Sequence, residues 1–198
     1  MTERGVVPPG ITPSQTVGPF FAYCLTPEEY DARGIAGHAV ASPDAAGVRI
    51  HVEGRVLDGA GEPVPDAMLE IWQADGEGRY PGDAANAAFR GFGRAQTDAD
   101  GRFVFVTVKP GAVPAPGGGM QAPHIAVSVF ARGLLNRLAT RIYFDDEPAN
   151  AADPVLSLVP PERRGTLIAR RAADGVYAFD VRLQGDGDGA GETVFFEI

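Results

Sequence analysis

The chain has 198 residues, 44% of them hydrophobic, with 17 basic against 26 acidic side chains and a net charge of −9. That length suits one domain with a substantial core, and an acidic balance without a basic run argues against nucleic-acid binding. No apolar stretch is long enough to span a bilayer, and the first residues show no basic start or apolar core of a signal peptide, so the expected compartment is the cytoplasm.

Residues 1–47 read as an extended arm and loops, with TPSQTVGPFF (12–21) the one densely patterned part. VRIHVEGRV (48–56) then alternates as a half-buried strand, with Val48, Ile50, Val52 and Val56 on one face. DGAGEPVPD (58–66) is a turn and AMLEIW (67–72) a second strand. Residues 73–101 read as one long irregular loop, of the size that is often functional. RFVFVTV (102–108) carries β-branched and aromatic residues on both faces, which predicts a central buried strand, and KPGAVPAPGGG (109–119) excludes regular structure. HIAVSVFA (124–131) and LATRIYF (138–144) are further strands. DPVLSLVPPERR (153–164) holds one helical turn, YAFDVRL (177–183) alternates again, and after the QGDGDGAGE turn TVFFEI (193–198) closes the chain as a strand. Abundant glycine (26) and proline (17) fit many short strands joined by turns. The expected fold is all-β, a β-sandwich over 48–198 with long loops and an N-terminal arm over 1–47, an antiparallel barrel being the alternative.

Few residues announce chemistry. There is no Ser/His/Asp motif, Walker loop or zinc spacing, and GFGRAQ (91–96) lacks the third glycine and the helix of a nucleotide loop. Cys24 is alone, so no intrachain disulfide or CxxC motif exists; beside aromatic residues it reads as buried filler rather than a nucleophile. In QAPHIAVSV (121–129), alternation puts His124, Ala126 and Ser128 on one face. A metal-binding strand would place a second ligand where Ala126 stands.

GRVLDGAGEPVPDAMLEIWQADGEGRY (54–80), FRGFGRAQTDADGRFVFVTVKPG (89–111) and HIAVSVFARGLLNRLATRIYFDD (124–146) together resemble the intradiol ring-cleaving dioxygenases. The likeness runs from TPSQTVGPFF to PPERRGTLIARR, most of the chain. It implies a β-sandwich and, in iron-binding members, Fe(III) held by two tyrosines and two histidines, a set suited to a hard cation. Carried over residue by residue, Tyr80 matches the first tyrosine, Val113 replaces the second, His124 matches the first histidine and Ala126 replaces the second. Gln121 stands where iron-binding chains have a substrate-steadying arginine. Tyr80 and His124 then read as structural or pocket-lining residues, and no metal is expected in this chain.

The resemblance implies a non-iron α-type subunit of a heteromeric member of the family. Its partner is a homologous β chain carrying the Fe(III), in repeated αβ units that cleave protocatechuate with O2 to 3-carboxy-cis,cis-muconate. Alone, this chain is expected to be inactive. The substrate-binding residues implied for it in the composite pocket are Thr16, Gly18 and Pro19 of TVGP and Arg132 of FARG. Gly18 permits close backbone approach, Pro19 stiffens the segment and the Thr16 hydroxyl can hydrogen-bond, while a guanidinium can take the substrate carboxylate side-on. The bland alternatives are a turn leading into the core for TVGP and a solvated arginine for Arg132. Arg79, Arg90, Arg94, Arg137 and Arg141 are further cations that periodicity cannot locate, with salt bridging or partner contact as their default. Two other functions stay open at this level: an iron-binding dioxygenase with replacement ligands, and a β-sandwich module that binds small aromatic acids or another protein.

Overall fold

Alternation in the segment after residue 48 produces the longest strand, β1 (Arg49–Leu57), with Ile50, Val52 and Val56 turned inward and buried. Val48 lies before the strand and is exposed, which corrects its expected place on the inner face. The computed structural model describes residues 10, 13–82, 88–185, 189 and 191–197. Parts of the expected arm (1–9, 11–12), long loop (83–87) and QGDGDGAGE turn (186–188, 190), and the last residue of TVFFEI, lie outside these.

Strands β2 (Met68–Gln73), β3 (Phe92–Gln96), β4 (Arg102–Val108), β5 (Val113–Pro114) and β6 (Met120–Gln121) follow. They are succeeded by β7 (Ile125–Phe130), β8 (Leu138–Phe144), β9 (Ile168–Ala173), β10 (Val176–Ala178) and β11 (Val181–Arg182). Antiparallel pairing builds one layer in the order β3–β2–β7–β8. In the other, β4 lies antiparallel along one edge of β1, and β10 and β11 pair parallel along its opposite edge. β9 pairs antiparallel with β10 and, over Ile168 and Ala169, parallel with the end of β8, so the layers are joined at one edge. Between them lies one core, with Val52, Val56 and Phe105 from one layer and Leu69, Ile71, Val127 and Val129 from the other. Each such side chain removed from water contributes about 1.5–3 kcal/mol. Buried Gln73 ties the layers: its amide donates to the Val108 carbonyl (2.9 Å) and its oxygen accepts from the Thr107 hydroxyl (2.9 Å).

Several expectations need correction. The 73–101 stretch contains β3, whose short FGRAQ run lacks the β-branched residues that mark strands. The 109–119 segment contains β5, held by pairing with β6 rather than by its own propensity. β4 is not central: among the described residues its backbone pairs with β1 on one side and with no more than a bridge from Ala39 to Val106 on the other, and Val104 is exposed. β9 went unforeseen because four of its six residues face water and no apolar period marks it. Residues 153–164 hold one 3₁₀ turn, Leu156–Leu158, as expected, and two more that the sequence did not mark flank it at Pro148–Ala152 and Arg164–Leu167. The closing segment makes one bridge, Phe196 to Ala139, rather than a strand. Within the arm, a short helix, α1 (Phe21–Leu25), leaves Cys24 exposed rather than buried. Val40 and Ala41 of the arm enter the main core.

A second apolar cluster lies outside the sandwich. The 3₁₀ segment folds over the outer face of β8, where Leu156, Val159 and Leu167 pack with Ala122 and Tyr143. It covers the Tyr143 end of that face; the neighbouring stretch bearing Arg141 and Ala126 borders a groove.

Candidate functional site

The residues singled out in the sequence fall into two groups at opposite ends of β7. Eight residues separate His124 from Arg132, about 25 Å at strand rise.

At the first end, strand pairing brings together six positions in two sets. Phe92, Trp72, Ala126 and Arg141 are successive cross-strand partners in a single row over β3, β2, β7 and β8. Tyr80 stacks on Trp72, with ring centroids 5.6 Å apart and planes 11° from parallel. The Tyr80 loop is locked to the loop before β5 by Gly78: its φ is +77°, and a Cβ there would lie 2.0 Å from the Ala112 carbonyl oxygen. Val113, buried, pairs with Gln121 across β5 and β6. The Gln121 oxygen accepts from Arg141 Nη1 at 2.7 Å, joining this pair to the row.

His124, immediately before β7, is buried and its ring sits 5.8 Å from that of Tyr143. Its Nδ1 donates to the Ala122 carbonyl at 2.8 Å; a carbonyl only accepts, so Nδ1 carries the proton. Burial pushes His124 below the usual imidazole range, and the charge of Arg141 acts the same way, against the Ala122 hydrogen bond. Burial pushes the Tyr143 phenol well above its ordinary range, so it stays protonated and donates to Asp153 Oδ1 at 3.0 Å. Asp153, 1% exposed, also accepts from the backbone amides of Ala122 (2.8 Å), Val155 (2.9 Å) and Leu156 (2.7 Å).

This end therefore holds a hydrogen-bonded polar network centred on Arg141 and Asp153. Of the four positions matched to ferric ligands, Val113 and Ala126 offer no lone pair. Tyr80 is stacked away on Trp72, and Arg141 adds a fixed positive charge beside them. These residues do not fit Fe(III). Among the described residues no group of three or more His, Cys, Asp or Glu side chains converges on a metal position.

At the other end, TVGP meets FARG. The Gly133 amide, next to Arg132, donates to Thr16 Oγ1 at 2.7 Å. Arg132 pairs with Asp66, a non-glycine residue at φ 62°. Gly18 and Pro19 are exposed, and nothing in the chain lies within 4 Å of a Cβ built at Gly18. The close approach expected at Gly18 is thus not made by this chain's own atoms. Phe20, Tyr23 and Tyr30 follow as an exposed, mutually packed set of rings.

The remaining arginines separate by partner. Arg79 pairs with Asp75 and Glu77, Arg94 with Glu70, and Arg90 bonds the Ile35 carbonyl. Arg137 and Arg141 bond only neutral groups among the described residues. Trp72, Tyr143 and Asp153 were not singled out from the sequence. The one available signal was Arg141 itself, a charge inside the apolar run LATRIYF.

A doubly layered β fold whose loops gather Tyr80, Val113, His124 and Ala126 at one strand end is that of a ring-cleaving dioxygenase. A family model described as "Dioxygenase" matches residues 18–185, and the chain belongs to the intradiol dioxygenase family. It is similar to the protocatechuate 3,4-dioxygenase alpha chain of Burkholderia cepacia, with 51% identity over 94% of this chain and 97% of that one. It is also similar to the protocatechuate 3,4-dioxygenase beta chain of Burkholderia cepacia, with 38% identity over 81% of this chain and 74% of that one. Among solved structures, it resembles the dioxygenase domain of a carbohydrate-binding fusion protein from Streptomyces sp. SirexAA-E. That match has a TM-score of 0.59 and 31% identity, covering 75% of this chain and 87% of that one. No helix among the described residues is long and apolar enough to cross a membrane.

Proposed function

We propose that this chain is the iron-free α subunit of a heteromeric protocatechuate 3,4-dioxygenase. In this reading it supplies architecture and part of the substrate pocket. Intradiol cleavage of protocatechuate by O2 to 3-carboxy-cis,cis-muconate belongs to a homologous β chain that holds Fe(III) with two tyrosines and two histidines. The subunits assemble as repeated αβ units, and the place of work is the cytoplasm.

The observation that carries this reading is the row Trp72–Ala126–Arg141. The position matched to a histidine ligand is a methyl group set beside a guanidinium that Gln121 and Tyr143 hold in place. A site that had merely lost one ligand would leave its neighbours in search of partners. Here the buried members, Tyr143 and Asp153, are bonded to each other and to the backbone, as in a scaffold maintained for another purpose.

The contribution to the composite pocket comes from the other end. Thr16 fixes the FARG turn through Gly133, and Arg132 stands beside it with a half-exposed guanidinium. Arg132 takes the carboxylate of the incoming acid, exchanging it against Asp66. The open side of Gly18 and Pro19 and the exposed rings of Phe20, Tyr23 and Tyr30 support a role for the 1–47 arm in partner and pocket contacts.

Co-purification with the homologous β chain, followed by iron counting per chain, tests the assignment. Iron is expected in proportion to β alone; stoichiometric ferric iron with a tyrosinate charge-transfer colour in this chain purified by itself would overturn it. In the assembled enzyme Arg132→Ala is expected to raise KM for protocatechuate roughly tenfold with little change in kcat, the loss of one charge-assisted contact. Unaltered steady-state kinetics would remove Arg132 from the pocket.

A further inference from the structure

The row on the outer face of β2, β3, β7 and β8 also floors a groove of about 660 Å³, bordered by Trp72, Phe92, Ala126, Ser128, Arg137 and Arg141. A volume of this order is typical of small-molecule sites. Ala126 is the notch in the floor: it has the smallest side chain in the row, between the indole of Trp72 and the guanidinium of Arg141. Two strand spacings, about 10 Å, separate those two residues, room for one ring bearing one carboxyl group.

The charges in the groove lack acidic partners of their own. Arg141 spends Nη1 on two neutral oxygens, Gln121 Oε1 at 2.7 Å and the Tyr143 hydroxyl at 3.3 Å, and has no ion pair among the described residues. Its Nη2 and Nε make no hydrogen bond among the described residues, and together they form the fork that takes a carboxylate side-on. Arg137 bonds Ser128 Oγ at 2.9 Å and likewise has no ion pair among the described residues. The two carboxylates that line the groove do not neutralise them: Glu70 is held by Arg94 at 2.7 Å, and Glu197 pairs with neither arginine, while Asp153 reaches Arg141 only through the Tyr143 hydroxyl. At the other end of the row, Trp72 is 41% exposed with one side covered by Tyr80, and Phe92 lies beside it.

We propose that this groove is a ligand site of this chain for a single-ring aromatic carboxylate. The carboxylate lies on the Nε/Nη2 edge of Arg141, the ring lies over Ala126 against Trp72, and Arg137 stands at the rim. No metal takes part. The inference follows from the groove alone and does not depend on the subunit assignment.

Benzoate, which lacks the adjacent hydroxyls that a ferric centre takes up, is the probe. It is titrated by calorimetry, with ring-proton saturation transfer as a second readout, against the full chain as it purifies, alone or with a partner subunit. Saturable binding of one equivalent per chain is expected, with benzamide at least tenfold weaker. Arg141→Met should weaken benzoate binding at least tenfold, and Arg141→Lys, which keeps the charge but loses the fork, by a few fold. Ala126→Phe fills the notch while leaving the bonds of Arg141 intact, and should abolish the same equivalent. It therefore keeps the test decisive if Arg141→Met does not fold. Arg171→Ala, which removes an exposed cation elsewhere, should change nothing. Absence of saturable binding at millimolar benzoate, or binding that survives Ala126→Phe unchanged, would overturn the proposal.

Discussion

The two ends of β7 are built on opposite principles. At the His124 end, a buried carboxylate, a protonated phenol, a glutamine and a guanidinium bond one another and the backbone, and the 3₁₀ segment covers part of them. At the Arg132 end, one hydrogen bond and one half-exposed ion pair hold two surface loops together. A closed network specifies structure, because each buried group left without a partner is costly. An open pair of loops specifies little within the chain and is free to answer to a partner. The family's chemistry was read from the first end, yet the contribution to a pocket shared with a partner is proposed at the second.

The contrast can be broken most forcefully at Asp153. Asp153→Ala would leave the Tyr143 hydroxyl and three amides short of an acceptor inside the 3₁₀ cap. A loss of roughly 3–5 kcal/mol is expected, read as a lower denaturant midpoint. If stability falls by less than about 1 kcal/mol, the network is not what holds that end. Gly78→Ala comes next, at about 2–3 kcal/mol, because it combines a left-handed φ with a Cβ driven onto the Ala112 carbonyl. The Tyr80 loop should then detach from the Val113 loop, which amide exchange at Gly111 and Gly78 would report.

A gentler test uses pH. His124 is held below its unfolded range by burial, so the unfolded chain binds the extra proton and stability rises with pH across that window. Its contribution is fully present above the unfolded value near 6.5 and is lost as pH falls toward the lowered folded value. His124→Gln should flatten that slope in denaturant titrations between pH 7 and 5. An equally steep slope in the variant would assign it to other groups.

The smallest effect is expected at the other end. Removing the Arg132–Asp66 pair should change folding stability by less than about 1 kcal/mol, as for exposed pairs generally. Asp66→Asn, which removes the charge but keeps a residue type tolerated at φ 62°, should instead lower KM for protocatechuate in the assembled enzyme by freeing the guanidinium. A large stability loss from either substitution would mean that this end, too, is structural.

Much of the sandwich was legible from local pattern. The alternation in residues 49–57 placed β1, because a strand with one face in the core must carry a period of two, and the nearly continuous apolar LATRIYF run placed β8, whose outer face is capped in part by the 3₁₀ segment. β3, β5 and β9 were not legible, since FGRAQ, VP and IARRAA have weak intrinsic preference and are ordered by the strands they pair with. Val104 escaped for a related reason: an apolar residue on each face looks central, but pairing decides which strands lie at an edge.

At the site, the residue identities were in the sequence and their relations were not. That Val113 and Ala126 cannot bind a metal follows from their side chains alone. No spacing could reveal that Arg141, fifteen positions beyond Ala126, lies beside it. Nor could it show that Thr16 closes on Gly133 across 117 residues. Donor atoms are a property of composition, whereas the partners of a buried charge are set by strand register. Only the folded sheet puts a guanidinium with no ion pair among the described residues next to the notch at Ala126.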